Sequence, residues 1–209
     1  MSSKWAEENL QVIRTLMERS AVYRRRLAPL MMLGAAGATL GGFAAAILNI
    51  ETARHFVSLW GGVAGLVLLG AGQITRGQAI KSGEVFWTAP TRRIFDAFLP
   101  VFLTGGVLGA AYFVGPESRA VASRQLLVVC WCVLYGLGLH SAGFYVAKGI
   151  RRLGWGFVLV GISLAFLILR AGDNGLQVSP SFLMASVFGG LHLLSAVYLY
   201  FTEEKEAVL

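Results

Sequence analysis

Apolar runs close to the length that crosses a bilayer recur six times along the chain, over residues 27–50, 55–74, 97–114, 126–146, 153–169 and 182–201. A membrane-spanning helix needs about 20 such residues, and backbone in hydrocarbon has to satisfy its own polar groups. The runs lack the alternating polarity of barrel strands. The sequence therefore predicts an all-α fold, a polytopic bundle of about six transmembrane helices over residues 27–201. A cytoplasmic amphipathic, basic helix is expected over 1–26 and a short cytoplasmic tail over 202–209.

Composition narrows the class further. Apolar residues make up 56% of the chain and charged residues 14%, against roughly 25% charged in soluble proteins. The net charge of +7 would suggest nucleic acid in a soluble domain, but the basic residues lie in short segments flanking the apolar runs. That is the positive-inside pattern, and it argues against nucleic acid as a partner. Of the 18 Lys and Arg residues, only Arg54, Arg119, Arg124 and Arg170 fall on one side of the expected map. Both termini and the segment 75–93 are thus expected inside, as in a multi-pass protein of the bacterial inner membrane. Trp60 and Trp131 are expected near the outer boundary, Trp87 and Trp155 near the inner one.

Polar detail concentrates on the inner side. Leu10, Ile13, Leu16, Met17, Ser20 and Tyr23 recur at three- and four-residue steps, an amphipathic pattern ahead of Arg24, Arg25 and Arg26. With Arg14 and Arg19, and with Trp87, Arg92 and Arg93 in the central loop, these residues make a candidate surface for anionic headgroups or for a cytoplasmic protein partner. A helix start is expected at Arg92 with Thr91 as its cap, an ion pair between Asp96 and Arg92 or Arg93, and a kink at Pro100.

Small residues recur four apart at Gly37, Gly41 and Ala45, at Gly61 and Gly65, and at Gly105 and Gly109. Such faces let helices approach, and they permit a homo-oligomer. Cys130 and Cys132, two residues apart on a helix, point to different faces and read as small fillers rather than a redox or metal pair.

The chemistry available inside the bundle is narrow. No Asp or Glu lies in the middle of a span, and no catalytic motif is present, so the chain reads as non-enzymatic. Polar groups deep in lipid are candidates for function, and these are nearly limited to His140 and His192. They occupy a repeated Gly-Leu-His in the fourth and sixth runs. Both are expected to point into the bundle, near each other or a shared cavity. Packing is the simplest role, with no cofactor required. Axial ligation of a haem by the two imidazoles is the alternative.

Residues 82–93, with 13–20 upstream and 149–155 downstream, resemble a set of uncharacterised bacterial integral membrane proteins. That resemblance implies a bacterial origin and brings no activity with it. The leading expectation is a structural or regulatory partner acting through its basic cytoplasmic face. A small-solute channel or carrier is the main alternative.

Overall fold

The computed structural model describes residues 27–81, 83, 86–87, 89–115, 121–146 and 148–206. Six spans follow one another: α1 (Ala28–Ile47), α2 (Ala53–Lys81), α3 (Ala89–Val114), α4 (Val121–Ala142), α5 (Lys148–Ala171), and a sixth of mixed geometry. The sixth begins as α6 (Pro180–Met184), passes through a π-helical turn (Ala185–Gly189) and continues as α7 (Gly190–Glu206). All six are long and apolar enough to cross a membrane, and no strand forms among the described residues. The expected all-α, multi-pass bundle is the observed fold. The proposed N-terminal helix, with Arg14, Arg19, Arg24, Arg25 and Arg26, lies outside the described residues.

Helix ends differ from the expected ones for local reasons. The polar residues Thr75 to Lys81 continue α2 instead of starting a loop, since residues leaving the apolar layer still propagate a helix already nucleated. The Thr75 hydroxyl is satisfied within the helix, donating to the Ala71 carbonyl 2.7 Å away. Helix α3 starts at Ala89 rather than Arg92, so Pro90 sits in the first turn, where its missing N–H leaves no bond unmade. It runs unbroken past Pro100. Asp96 is exposed, and the Arg93 guanidinium lies over the Tyr145 ring, 5.4 Å from its centroid.

Packing is uneven. Half of the apolar stretch of α4 is buried, against 6% for α2 and 6% for α3. Glycines make the tight half. A Cβ on Gly136 would stand 2.8 Å from the Gly154 carbonyl, and one on Gly154 would stand 2.6 Å from the His140 nitrogen. Only glycine lets the α4 and α5 backbones approach this closely. The largest fully enclosed side chains, Phe157, Leu127, Ile168 and Gln125, all belong to α4 and α5, while Phe56 and Trp60 of α2 are buried at their edges. Helices α1 and the α6–α7 span close the core from the other side, with Met31, Leu139, Ile150, Ala196 and Leu199 in one cluster.

The small-residue faces divide accordingly. Gly41 lies against Val63 and Trp60, and Gly109 against Trp131. Gly61 and Gly65 face nothing within 4 Å. Trp60 and Trp131 are not boundary anchors. Trp60 is 3% exposed and donates from its indole to the Ser181 hydroxyl at 3.4 Å. Trp131 donates to the Gly105 carbonyl at 2.9 Å and stacks on Phe56. Both sit where a polar acceptor is reachable inside the bundle, which holds an indole better than the interface does.

Candidate functional site: a tyrosine–histidine pair beside an apolar cavity

Helix α7 positions His192 three residues after the π-helical turn. The extra residue in that turn rotates the following side chains relative to a continuous α-helix. His192 is 5% exposed, and its ring lies against Gly34 of α1, where a Cβ would stand 2.7 Å from Cδ2. Its Nδ1 is 2.8 Å from the Phe188 carbonyl, and its Nε2 is 2.8 Å from the Tyr135 hydroxyl. A carbonyl only accepts, so Nδ1 carries the proton. In the neutral ring Nε2 is then the acceptor, and Tyr135 donates to it. The chain Tyr135, His192, Phe188 carbonyl fixes one tautomer and orients both rings.

Aromatic rings surround this pair. Tyr135 meets Phe157 edge-on at 5.0 Å, Phe188 at 5.5 Å and Phe98 at 5.8 Å, while Phe157 also meets the imidazole at 5.4 Å. Such a collar excludes water and leaves the two polar groups dependent on each other.

An apolar cavity adjoins the pair at the seam between the loose helices and the core. One lobe, of about 240 Å³, is lined by Trp60, Gly61 and Ala64 of α2, by Val101, Phe102, Gly105 and Gly106 of α3, and by Trp131, Leu134 and Tyr135 of α4. A second, of about 150 Å³, reaches between α1 and α2 past Gly34, Ala38, Val63 and Val67 to His192. The two share Trp60, Ala64, Phe102, Tyr135, Met184 and Phe188. Ligand pockets are typically apolar with a few placed polar groups. Here those groups are Tyr135 and His192. The Tyr135 oxygen gives its proton to His192 and keeps acceptor capacity of its own.

The structure does not bring His140 and His192 together. His140 packs edge-on against Phe144 and Trp155, with ring centroids 5.3 and 5.4 Å away, and lines neither lobe. Five residues separate it from Tyr135 on α4, about 140° around the helix, which turns it to a different face. Its Nδ1 is enclosed without a hydrogen-bond partner among the described residues. Both nitrogens of His192 already have protein partners. No group of three or more His, Cys, Asp or Glu able to hold a metal occurs among the described residues.

At the basic end, Trp87 is exposed and meets Phe95 edge-on at 5.8 Å. Arg92 and Arg93 are exposed. Arg151 lies over Phe144 and Arg152 donates to the Tyr198 hydroxyl at 2.9 Å. These contacts tie the ends of α3, α5 and α7 to their neighbours.

Two residues escaped the sequence reading. Tyr135 shows in the sequence only as the aromatic of the Tyr135-Gly136 pair ahead of Gly138-Leu139-His140, an echo of Phe188-Gly189, and its partner is 57 positions away. Gln125 sits at the edge of a run and reads as loop, yet it is fully buried. Its amide donates to the Leu176 carbonyl at 3.0 Å and to the Val178 carbonyl at 2.7 Å, while its oxygen accepts from the Leu176 N–H at 2.9 Å. It holds the connection from α5 to α6. A lone amide at the end of an apolar helix is the one signal that pointed to it.

Fold and site together define a polytopic helix bundle with an apolar intramembrane cavity. Comparison with protein-family models, with curated proteins and with solved structures finds no match.

Proposed function

We propose that this is a non-enzymatic membrane protein that holds a small, neutral, largely apolar molecule in the cavity between α2–α3 and the rest of the bundle, as the binding step of a carrier. The observation that carries the reading is the wall itself, apolar throughout except for the coupled Tyr135 and His192. A charged ligand would lose its hydration there with no counter-charge to offset it, since no Asp or Glu lies mid-span. A neutral ring or short branched chain loses nothing comparable, and an apolar cavity of about 150 Å³ suffices for benzene. The thinly buried α2 and α3 supply the wall that can move to admit it.

Trp60 and Trp131 line the cavity and make the test intrinsic. Bromobenzene, a quencher of indole fluorescence, should quench the purified protein saturably. Gly106 faces open space, so Gly106→Leu fills the lobe without a clash. In that variant quenching should become linear, as expected for partition into detergent alone. Saturable quenching that survives Gly106→Leu contradicts the reading.

The open glycine face of α2, Gly62, Gly65 and Gly72, favours a second reading, a structural or regulatory partner for another membrane protein or a second copy. In either reading the charge asymmetry supports a bacterial inner-membrane protein with its basic end in the cytoplasm. Cysteine placed at Asn174 should then be labelled from outside and cysteine at Lys81 spared. The reverse pattern overturns that orientation.

A further inference from the structure

A second groove lies on the other flank of the bundle, between α1 and the α6–α7 span, with a volume of about 660 Å³. Its floor is made of small residues, Gly42, Ala45, Ala185 and Gly189, where α1 meets the π-helical turn. Its walls are Phe43, Ala46, Phe182 and Leu193. Hydroxyls of Ser181 and Ser186 line its length, but its one charge and its one amide are confined to the mouth. Glu51, Asn49 and Ser179 stand at the mouth, at the end of the bundle opposite the basic one, and Thr39 lies ten residues deeper on α1. The eight helical steps from Thr39 to Ile47 rise about 12 Å and the turn through Asn49 carries on past them, together close to half of the roughly 30 Å hydrocarbon layer. The groove therefore has the depth of one leaflet, with its polar end at headgroup level.

Charge at the mouth is specific. Glu51 is the sole charged residue lining the groove, and its carboxylate is exposed. The nearest cation in sequence, Arg54, is turned away, donating from Nε to the Phe113 carbonyl at the end of α3, 3.2 Å away. The mouth thus offers a carboxylate and an amide, acceptors for a cationic N–H donor.

We infer that this groove binds a phospholipid with a primary ammonium headgroup, its ammonium at Glu51 and one acyl chain lying along the α1–α6 seam. A phosphatidylglycerol headgroup brings no cation and sets its phosphate against Glu51. A phosphatidylcholine headgroup is cationic but has no N–H to donate.

The test is native mass spectrometry of the full chain, from nanodiscs containing equal phosphatidylethanolamine, phosphatidylcholine and phosphatidylglycerol. One phosphatidylethanolamine should be retained in preference to the others. Glu51→Gln should reduce that preference about tenfold, the effect of losing one charge-assisted hydrogen bond. A Cβ on Gly190 meets nothing within 4 Å, so Gly190→Leu occupies the groove and should abolish retention of any one lipid. Gly106→Leu, which fills the separate cavity, should leave retention unchanged. Equal retention of all three lipids by the native chain, or an unchanged preference in Glu51→Gln, overturns the assignment. Glu51 lies at an exposed mouth and its replacement keeps the fold, so this arm stands even if Gly190→Leu fails to assemble.

Discussion

Glycine does opposite things in α2 and in the α4–α5 pair. Along α4 and α5, Gly136, Gly143 and Gly154 each stand where a Cβ would meet backbone of the facing helix closer than 3 Å. Along α2, Gly61, Gly62, Gly65, Gly72 and Gly77 meet nothing within 4 Å. The first set sets the distance between two helices. The second is approached by no neighbour: Gly61 opens onto the cavity, and the others leave a smooth face with no described residue against it. Helix α2 is also the longest in the bundle, 29 residues, and is among the least buried. Small residues in lipid therefore do not by themselves mark contact. What marks it is whether a partner helix arrives in the same register, and among the described helical glycines the approach comes within 3 Å of facing backbone only between α4 and α5.

The contrast places the cavity. A bundle packed throughout like α4–α5 would leave no room beside Tyr135. The two lobes exist because α2 and α3 contribute mostly glycine, alanine and valine to the seam, while α4 and the sixth span contribute rings. The Tyr135–His192 pair sits on the closely packed side of that seam, and the thinly buried α2 and α3 form the wall opposite, the one proposed to move.

Substitutions that break the contrast should have graded effects. The largest is Gly154→Ala, which forces a methyl into the α4 backbone. It should cost about 3 kcal/mol or more, the upper range for overpacking, and show as loss of the monodisperse peak in size-exclusion chromatography. Next is Gln125→Leu, which strands two carbonyls and an N–H in a buried site. A loss of about 2–4 kcal/mol is expected, seen as a lower midpoint in thermal unfolding monitored by tryptophan fluorescence. Tyr135→Phe leaves His192 Nε2 without its donor and should cost about 1–2 kcal/mol. The His192→Phe variant and the double variant complete a cycle whose coupling should be about 1 kcal/mol. If the two changes simply add, the pair is not coupled. The smallest effect is that of Gly65→Ala, which has free space for its methyl and should leave the midpoint unchanged or slightly raised.

The architecture was legible because each span declares itself by length and apolarity, two properties that survive without knowledge of the neighbours. Thr75 to Lys81 were read as loop because they are polar, although a helix leaving the membrane keeps its backbone bonds. The inward orientation of His192 followed from the cost of an imidazole in hydrocarbon. Its partner did not, because the Tyr135-Gly136 pair reads as part of a repeat pointing to His140 on the same helix, and Tyr135 meets His192 only through helix packing. The π-helical turn that aims His192 has no signature in Ala185 to Gly189 beyond small residues. Trp60 and Trp131 were misplaced for the converse reason: an indole near the end of a run reads as an interfacial anchor unless its acceptor, here Ser181 or the Gly105 carbonyl, is known.

The division into a fixed half and a movable pair is open to one direct measurement, the width of spin-label distance distributions in nanodiscs. Labels at Leu137 and Leu159, exposed on α4 and α5, report the fixed half, and labels at Leu137 and Leu66 report α2 against it. A narrow distribution is predicted for the first pair. A broader one is predicted for the second, narrowing when bromobenzene is added. Equal widths, with no response of the α2 pair to the probe, would contradict the account.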